Sequence, residues 1–278
     1  MGRGGETHFR RLSDRHRGLA PVLPWNEGLR EGHEYGTRHM ITSLVNRVAA
    51  RLLGLLVRVA ESSIRHGAPQ GTAEYLDPGE FSWTAALENN WRDIRNELDR
   101  VLMEREKIPS FQDVSEEQRA ITNDDRWKVY VFYVFGTPIE KNCRGCPRTT
   151  ELLGRVPGLR NAMFSILSPH KDIPEHRGLY NGLLRYHLAL KVPQAAEACN
   201  VWVNGLRRGW HEGKTLIFDD SFPHSVRNDT AEERVVLFAD FERPLPWPLA
   251  SLNRWIIALL ASTPLAQRPI ELLERGEI

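Results

Sequence analysis

The segment SPHKDIPEHRGLYNGLLRYHLAL, residues 168–190, contains histidine and aspartate side chains whose types and spacing could bind a metal ion. His170 and Asp172 are two residues apart and would share one face of a β-strand, which is the carboxylate-containing form of a non-haem iron site. His176 offers another imidazole, but Gly178 stands where its carboxylate partner would be. On general chemistry the first pair is the better motif, and the residues alone leave both pairs open.

A second candidate ligand, His224, lies in the stretch FDDSFPHSVRNDTAEERVVLFADF. It follows a predicted strand and turn, and Arg234 comes ten residues later at the start of the next predicted strand. A hairpin of that length can bring the guanidinium beside the imidazole, where its planar fork can bind a dicarboxylate. The pair therefore indicates 2-oxoglutarate as the cosubstrate of an oxygen-activating iron site. The plainer alternative is an exposed loop histidine and an arginine at a strand end.

Short segments rich in β-branched and aromatic residues surround these candidates. Gly, Pro, Asn and Asp separate the segments, and one helical stretch, CPRTTELLGRVPG, interrupts them. Many short strands without alternating helices predict a double-sheet jelly roll, a mainly β fold with flanking α-helices. The predicted strands cover residues 126–136, 161–169, 182–193, 199–205, 214–220 and 234–244.

Apolar residues at three- and four-residue intervals predict helices outside these strands, one of them beginning at about Thr84. The first helical segment contains Arg47, Arg51 and Arg58, which argue against a bilayer span. It could pack on the core or lie in a membrane interface. The predicted organisation is a disordered basic tail (1–38), an amphipathic helix (39–66), a jelly-roll domain (77–244) and a C-terminal helical segment (245–278).

The overall charge is close to neutral, with 37 Lys and Arg residues against 36 Asp and Glu residues among 278. Such a chain lacks the positive field that broad nucleic-acid binding requires, so we expect no nucleic-acid partner. Three cysteines are too few for a disulfide scaffold, and the first residues have no apolar stretch typical of a signal peptide. We therefore expect a cytoplasmic protein, with peripheral membrane association as an option.

The order of several motifs resembles that of the aspartyl/asparaginyl β-hydroxylase family, whose bacterial members include proteins similar to lipid A hydroxylases. The resemblance runs from about residue 80 to residue 244. It implies a dioxygenase that uses Fe(II), 2-oxoglutarate and O2. The motifs that carry it are RWKVYVFYVFG, CRGCPRTTELL, FSIL, PEHRGLYNGLLRYHL, WHEGKTLIFDDSFPHSV and ERVVLFADFERP.

The resemblance also implies roles for individual residues. In the family's aspartyl enzyme the iron has two histidine ligands and glycine at the third position, which favours His176 with Gly178 over His170 with Asp172. The implied catalytic and binding residues are His176 and His224 on iron, Ser165 and Arg234 on the 2-oxoglutarate carboxylate, Arg185 and His187 as a polar pair beside cosubstrate and substrate, and Trp127 as an aromatic lining the pocket.

The cysteines depart from the family pattern. In the aspartyl enzyme a cysteine resembling Cys143 forms a disulfide with a cysteine seven residues later, but Thr150 stands at that position here. That disulfide cannot form. Cys143 and Cys146 instead make a CxxC motif, which could be redox-active or bind zinc. Because no second CxxC exists, two structural thiols are the simpler interpretation.

The expected reaction is hydroxylation of a C–H bond, and following the family name we expect the substrate to be an aspartyl or asparaginyl side chain in a peptide or protein. The alternative substrate is a lipid acyl chain at a membrane surface, which the lipid A hydroxylases and the apolar segments at both ends favour. Two alternatives from other classes are a non-catalytic binding module that retains the pocket and a hydrolytic zinc enzyme.

Overall fold

The computed structural model of the protein describes residues 54–69, 71 and 73–278. The tail predicted over residues 1–38 and the first part of the helix predicted over 39–66 lie outside the described residues. Residues 54–67 are helical and are named α1.

The remaining elements are short strands and short helices, and β4 to β11 follow one another without an α-helix between them. The strands are β1 (Tyr75–Leu76), β2 (Trp127–Val134), β3 (Thr137–Pro138), β4 (Leu159–Leu167), β5 (Lys171–His176), β6 (Leu183–Lys191), β7 (Cys199–Val203), β8 (Leu206–Gly209), β9 (Thr215–Phe218), β10 (His224–Asn228) and β11 (Arg234–Glu242). The helices are α2 (Thr84–Asn89), α3 (Trp91–Leu102), α4 (Phe111–Val114), α5 (Glu140–Gly145), α6 (Pro147–Leu153), α7 (Leu249–Ala261) and α8 (Pro264–Arg275). Single 3₁₀ turns lie at Pro78–Glu80, Arg105–Lys107, Glu116–Ala120 and Ala196–Ala198.

Two antiparallel sheets form the body of the protein. The larger sheet has seven strands in the order β1-β9-β6-β11-β4-β2-β3, and the smaller has four in the order β5-β10-β7-β8. Apolar side chains from both sheets form one buried cluster between them, which includes Val129 and Val236 from the larger sheet and Val201 from the smaller. This arrangement confirms the predicted jelly roll with flanking helices.

The larger sheet has two different faces because successive side chains of a strand point to opposite sides. On β11, Val235, Leu237 and Phe241 belong to an outer cluster that also contains apolar residues of α2, α3 and α6. The alternate positions, such as Val236 and Phe238, belong to the cluster between the sheets. On this inner face the same alternation places the polar residues of β4, β6 and β11.

The strands β5 and β10 were not predicted, and both carry candidate metal ligands. Their sequences, KDIPEH and HSVRN, contain few apolar residues because much of β5 and one side of β10 are exposed. Pro174 would argue against a central strand, but β5 is an edge strand, where a missing N–H is tolerated. The alternation of apolar and polar residues therefore does not identify strands of this kind in the sequence.

The helix predicted from Thr84 is two helices that meet at Asn90. The Asn90 side chain donates a hydrogen bond to the Ala86 carbonyl (2.8 Å) and competes with the regular helical bond at that point. α2 therefore ends at Asn89, and α3 begins at Trp91.

The C-terminal segment forms α7 and α8, which pack on the body of the protein. Ile256 and Ile257 of α7 form a third buried cluster with Ala60 and Ile64 of α1 and with Tyr180. Among the described residues, no single helix is long and apolar enough to cross a membrane. The bent pair α7 and α8, with a 55° angle, meets that length and composition test only when the two are taken together.

Glu97 of α3 anchors the outer helical layer to α6. Its buried carboxylate accepts hydrogen bonds from the backbone N–H groups of Arg148 (3.0 Å) and Thr149 (2.8 Å) and from the Thr149 hydroxyl (2.7 Å). These two N–H groups lie in the first turn of α6, where helices lack internal acceptors. The carboxylate thus caps α6 from another helix.

We predict that Glu97→Ala lowers the free energy of unfolding by about 3 kcal/mol, because buried donors lose a charged acceptor. Urea unfolding of the full chain measures the loss. The control, Glu106→Ala, alters an exposed side chain and should stay within about 0.5 kcal/mol of the wild type. Equal losses in the two variants would contradict the capping role.

Candidate functional site

His176 and His224 are neighbours on adjacent strands of the smaller sheet. His176 is the last residue of β5, His224 is the first residue of β10, and the two are direct partners in the antiparallel register. Their ring centroids are 4.2 Å apart. The backbone pairing therefore fixes two imidazoles side by side.

The hydrogen bonds of each ring show which of its two nitrogens carries the proton. Nδ1 of His176 lies 2.8 Å from the Pro174 carbonyl oxygen, and Nδ1 of His224 lies 3.0 Å from the Phe222 carbonyl oxygen. Because a carbonyl oxygen only accepts, each Nδ1 carries the proton, and each Nε2 keeps its lone pair. Burial lowers the pKa of both histidines, that of His224 to about 3 with help from the Arg185 charge, so both rings are neutral near pH 7. Two neutral imidazoles oriented in this way fit a divalent transition metal.

No carboxylate completes this pair as a third ligand. Among the described residues no group of three or more His, Cys, Asp or Glu side chains has metal-binding geometry. Gly178 has no side chain, and a Cβ atom built there would overlap with the carboxylate of Asp220. The Gly178 N–H donates to the Asp220 carbonyl oxygen at 2.7 Å, which holds the two segments this close. The space for a third side chain is therefore filled by Asp220.

Arg185 lies beside the histidine pair and is already neutralised by two acids. Its guanidinium is 2.7 Å from an Asp220 carboxylate oxygen and 3.0 Å from an Asp240 carboxylate oxygen. Nη1 of Arg185 lies 3.5 Å from Nε2 of His224. All these groups are largely buried, so removal of one member would leave a charge without its partner.

Arg234 is also buried, but it lacks an acidic partner. Its side chain is 2% exposed and stacks on Trp210, with 4.8 Å from the guanidinium carbon to the ring centroid. Among the described residues, no carboxylate lies within 4.0 Å of it, and its Nε has no hydrogen-bond acceptor. Burial lowers its pKa to about 10, which still leaves the guanidinium charged near pH 7. A buried cation without an acid is a prepared site for an anionic ligand.

His187 adds a second unpaired donor to this anion site. The Trp210 indole N–H donates to Nδ1 of His187 at 3.3 Å, so the ring proton is on Nε2. That Nε2 is buried and has no partner among the described residues. The Arg234 charge is also near enough to lower the pKa of His187, after burial, which lowers it most.

Ser165 and Trp127 lie at the same inner face of the larger sheet. The Trp127 indole N–H donates to the Ser165 hydroxyl at 3.0 Å, and Arg234 Nη1 donates to the Ser165 carbonyl at 3.4 Å. The structure thus brings together the seven residues that the family resemblance implies for the site. His170 and Asp172 lie outside this group, because both side chains are exposed and Asp172 lies 3.9 Å from Arg227.

Sequence reasoning missed three residues of the site: Asp220, Asp240 and Trp210. Asp240 could have been found, because it is six residues after Arg234 on the same strand and must share its face. Asp220 and Trp210 follow strand ends, where alternation no longer predicts direction. Only the three-dimensional structure places them.

A cavity of about 380 Å³ opens from His176 and Arg185 toward α8. Its lining includes Trp127, Met163, Leu179, Phe238 and Leu265, and 14 of the 23 lining residues are apolar, while eight are polar or charged. Such a space suits a hydrocarbon group better than a polar side chain.

The CxxC cysteines lie away from this site. Cys143 and Cys146 are buried in the outer cluster, and burial raises the pKa of both thiols. Thr150 donates a hydroxyl hydrogen bond to the Cys143 carbonyl at 3.0 Å, and all three cysteines are free thiols. Their environment is that of structural thiols.

Comparisons with known proteins define the class. Residues 88–244 match the family model described as aspartyl/asparaginyl beta-hydroxylase, and the chain belongs to that family. It is therefore a hydroxylase by family, and the predicted resemblance is confirmed.

Two curated relatives show the range of the family. The chain is 36% identical over 252 residues to the ornithine lipid ester-linked acyl 2-hydroxylase of Rhizobium tropici, covering 91% of this chain and 90% of that protein. It is 32% identical over 167 residues to the human aspartyl/asparaginyl beta-hydroxylase, covering 57% of this chain but only 21% of that protein. A solved Cupin_2 domain from Enterobacter cloacae overlaps with 43% of the chain at a TM-score of 0.30 and 13% identity, too low to say anything about function.

We predict that Gly178→Asp does not supply a third ligand, because Asp220 occupies the required space. Gly178→Ala should already destabilise the protein by about 1–3 kcal/mol through overpacking, measured by urea unfolding. The double variant Gly178→Ala with Asp220→Ala should lose less than the two single variants summed, because the second change removes the overlap. Strict additivity would contradict this packing.

Proposed function

We propose that the protein is an Fe(II)- and 2-oxoglutarate-dependent dioxygenase that hydroxylates position 2 of an ester-linked acyl chain in an ornithine-containing lipid. The observation that carries the proposal is a neutral histidine pair, of which His176 lines an apolar-walled cavity, together with a buried, unpaired Arg234 guanidinium on the inner face of the larger sheet. Iron with 2-oxoglutarate and O2 supplies the oxidising chemistry that no amino-acid side chain has.

The protein's own residues bind and orient. His176 and His224 would hold the iron through Nε2, since their Nδ1–H groups are bound to backbone carbonyls. Arg234 would bind a 2-oxoglutarate carboxylate with its fork, and Nε2–H of His187 would donate a further hydrogen bond. Ser165 and Trp127 would line this pocket. The buried walls exclude water from the reacting atoms.

The state of Arg185 favours an acyl chain over an aspartyl side chain. An aspartyl carboxylate needs a cation at the site, but Arg185 already contacts Asp220 and Asp240. An incoming carboxylate would therefore have to compete with two acids that already contact this guanidinium. An acyl chain brings no charge and finds apolar walls. The high coverage of the lipid hydroxylase from Rhizobium tropici supports the same choice.

We predict that His176→Ala and His224→Ala each abolish hydroxylation, and that Arg234→Met raises the 2-oxoglutarate concentration needed for half-maximal rate by about 10- to 100-fold. Mass spectrometry of an ornithine lipid for the gain of one oxygen measures the first effect. Succinate release at varied 2-oxoglutarate measures the second. The control Arg144→Met alters an exposed side chain and should behave as the wild type.

Several outcomes would contradict the proposal. Unchanged 2-oxoglutarate dependence in Arg234→Met would remove the assigned anion site. Hydroxylation of an aspartyl peptide but not of the lipid would reverse the substrate choice. Turnover without O2 would indicate a hydrolytic zinc enzyme.

In a thermal-shift assay, 2-oxoglutarate with Mn(II) should raise the melting temperature of the wild type but not of Arg234→Met. No shift in the wild type would favour a binding module for another ligand.

A lipid substrate also requires contact with a membrane surface, which we place on the side of α1 and α7. The exposed large apolar residues on or near these elements are Leu55, Val59, Leu179, Trp247 and Trp255. Trp247 is 84% exposed, and tryptophan is typical of membrane interfaces. Leu179 also lines the apolar cavity of about 380 Å³, which we call the acyl cavity, so this surface includes part of the cavity wall. We propose peripheral association with the cytoplasmic face.

We predict that the protein floats with vesicles containing ornithine lipid, and that Leu179→Ser and Trp247→Ser each reduce the bound fraction several-fold. Leu206→Ser is a matched control, because Leu206 is similarly exposed (52% against 57% for Leu179) but lies on β8. Equal losses for Leu179→Ser and Leu206→Ser would contradict the assigned surface.

A further inference from the structure

A second cavity lies beside the histidine pair and differs in character from the acyl cavity. It has a volume of about 440 Å³ and is lined mainly by polar and charged side chains. Phe222 and Pro223, which directly precede the ligand His224, are part of its wall. Arg177, the neighbour of His176, lines both cavities. The two cavities therefore adjoin the same iron-binding segments.

This polar cavity presents charges of both signs that do not neutralise each other. Glu74 accepts a hydrogen bond from the Asn204 side chain at 2.7 Å, and among the described residues it has no cation within 4.0 Å. Arg177 is exposed, and no carboxylate of the described residues lies within 4.0 Å of its guanidinium. By contrast, Asp219 and Arg243, which also line the cavity, form a buried ion pair with each other. Arg65 also lines the cavity, is exposed and forms no ion pair among the described residues. Glu74, Arg177 and Arg65 therefore remain to bind a ligand.

Asn181 adds an independent sign of a ligand. Its side chain is 4% exposed, and its Nδ2 donates to the Glu61 carbonyl at 2.9 Å. The Asn181 backbone carbonyl accepts from Arg243 Nε at 2.8 Å, so the residue is held at both ends. Its Oδ1 is buried and has no donor among the described residues. A buried acceptor of this kind is normally satisfied, and an ammonium group would satisfy it.

We infer that this cavity binds the zwitterionic head of the lipid substrate, with the ammonium group at Glu74 and Asn181 and the carboxylate at Arg177. The inference rests on the proposed acyl-chain activity. An ornithine acylated on one amino group carries one ammonium, which Glu74 can bind, and one carboxylate, which Arg177 can bind. Position 2 of an acyl chain is adjacent to its ester carbonyl and hence lies at the end of the chain that faces the head. A head site must then adjoin the iron-binding residues, as this cavity does.

Titration calorimetry of the full chain tests the site without turnover. The probes are a short-chain N-acylornithine, its side-chain N-acetyl derivative, its carboxyl methyl ester and free ornithine. The wild type should bind the N-acylornithine about tenfold more tightly than either derivative, a difference of about 1.4 kcal/mol. Glu74→Gln should remove only the preference for the free amine, and Arg177→Gln only the preference for the free carboxylate. The controls Glu106→Gln and Arg144→Gln should retain both preferences.

Equal affinity of the wild type for the zwitterion and both derivatives would overturn the inference. Free ornithine bound as tightly as the N-acylornithine would also overturn it, because the site would then serve a free amino acid. Hydroxylation of ornithine lipids that contain an ester-linked acyl chain and carry the same changes in the head separates this inference from the proposed activity. Lipids hydroxylated regardless of head charge would leave the activity intact and remove the head site. Selective binding without hydroxylation would keep the head site and remove the activity.

Discussion

The antiparallel register between β5 and β10 is the constraint on which the site depends. It makes His176 and His224 direct partners, so the pairing of the two backbones brings the imidazole rings to a centroid distance of 4.2 Å. Each ring is then fixed by a carbonyl two residues earlier in its own strand or turn. A shift of one residue in this pairing would move one imidazole to the other face of the sheet. The backbone therefore determines the metal-binding geometry, and the side chains only need the correct tautomer.

The inner face of the larger sheet sorts two buried arginines into different roles. Arg185 is balanced by Asp220 and Asp240, whereas Arg234 stacks on Trp210 and has no acid beside it. A balanced guanidinium holds neighbouring groups in place, and an unbalanced one attracts an anion. Both lie within the same jelly roll, so charge balance rather than position distinguishes the arginine that is free to bind an anion.

The sequence analysis predicts the parts of the fold that follow simple periodicity. The central strands β4, β6 and β11 are apolar on both faces or alternate clearly, and the sequence places Ser165, His187 and Arg234 on them correctly. The strands β5 and β10 have few apolar residues and escape the same rules. Local chemistry favours His170 with its carboxylate partner Asp172, so only the family resemblance predicts His176 as the ligand. Asp220 could not be predicted, since its position depends on the close approach of two segments distant in sequence.

The glycine at position 178 lies against Asp220 and lines the apolar cavity together with His176. Because Gly178 has no side chain, Asp220 can approach and contact Arg185 at 2.7 Å. A ligating carboxylate at position 178 would displace Asp220, and Arg185 would then lose one of its two acids beside His224. The carboxylate beside position 178 is therefore that of Asp220, which pairs with Arg185 and does not act as a metal ligand. The short segment from His176 to Gly178 remains a thin wall, with Arg177 exposed to the apolar cavity and to the polar one. A lipid, which is apolar at one end and charged at the other, is the kind of molecule that can use both sides of such a wall at once.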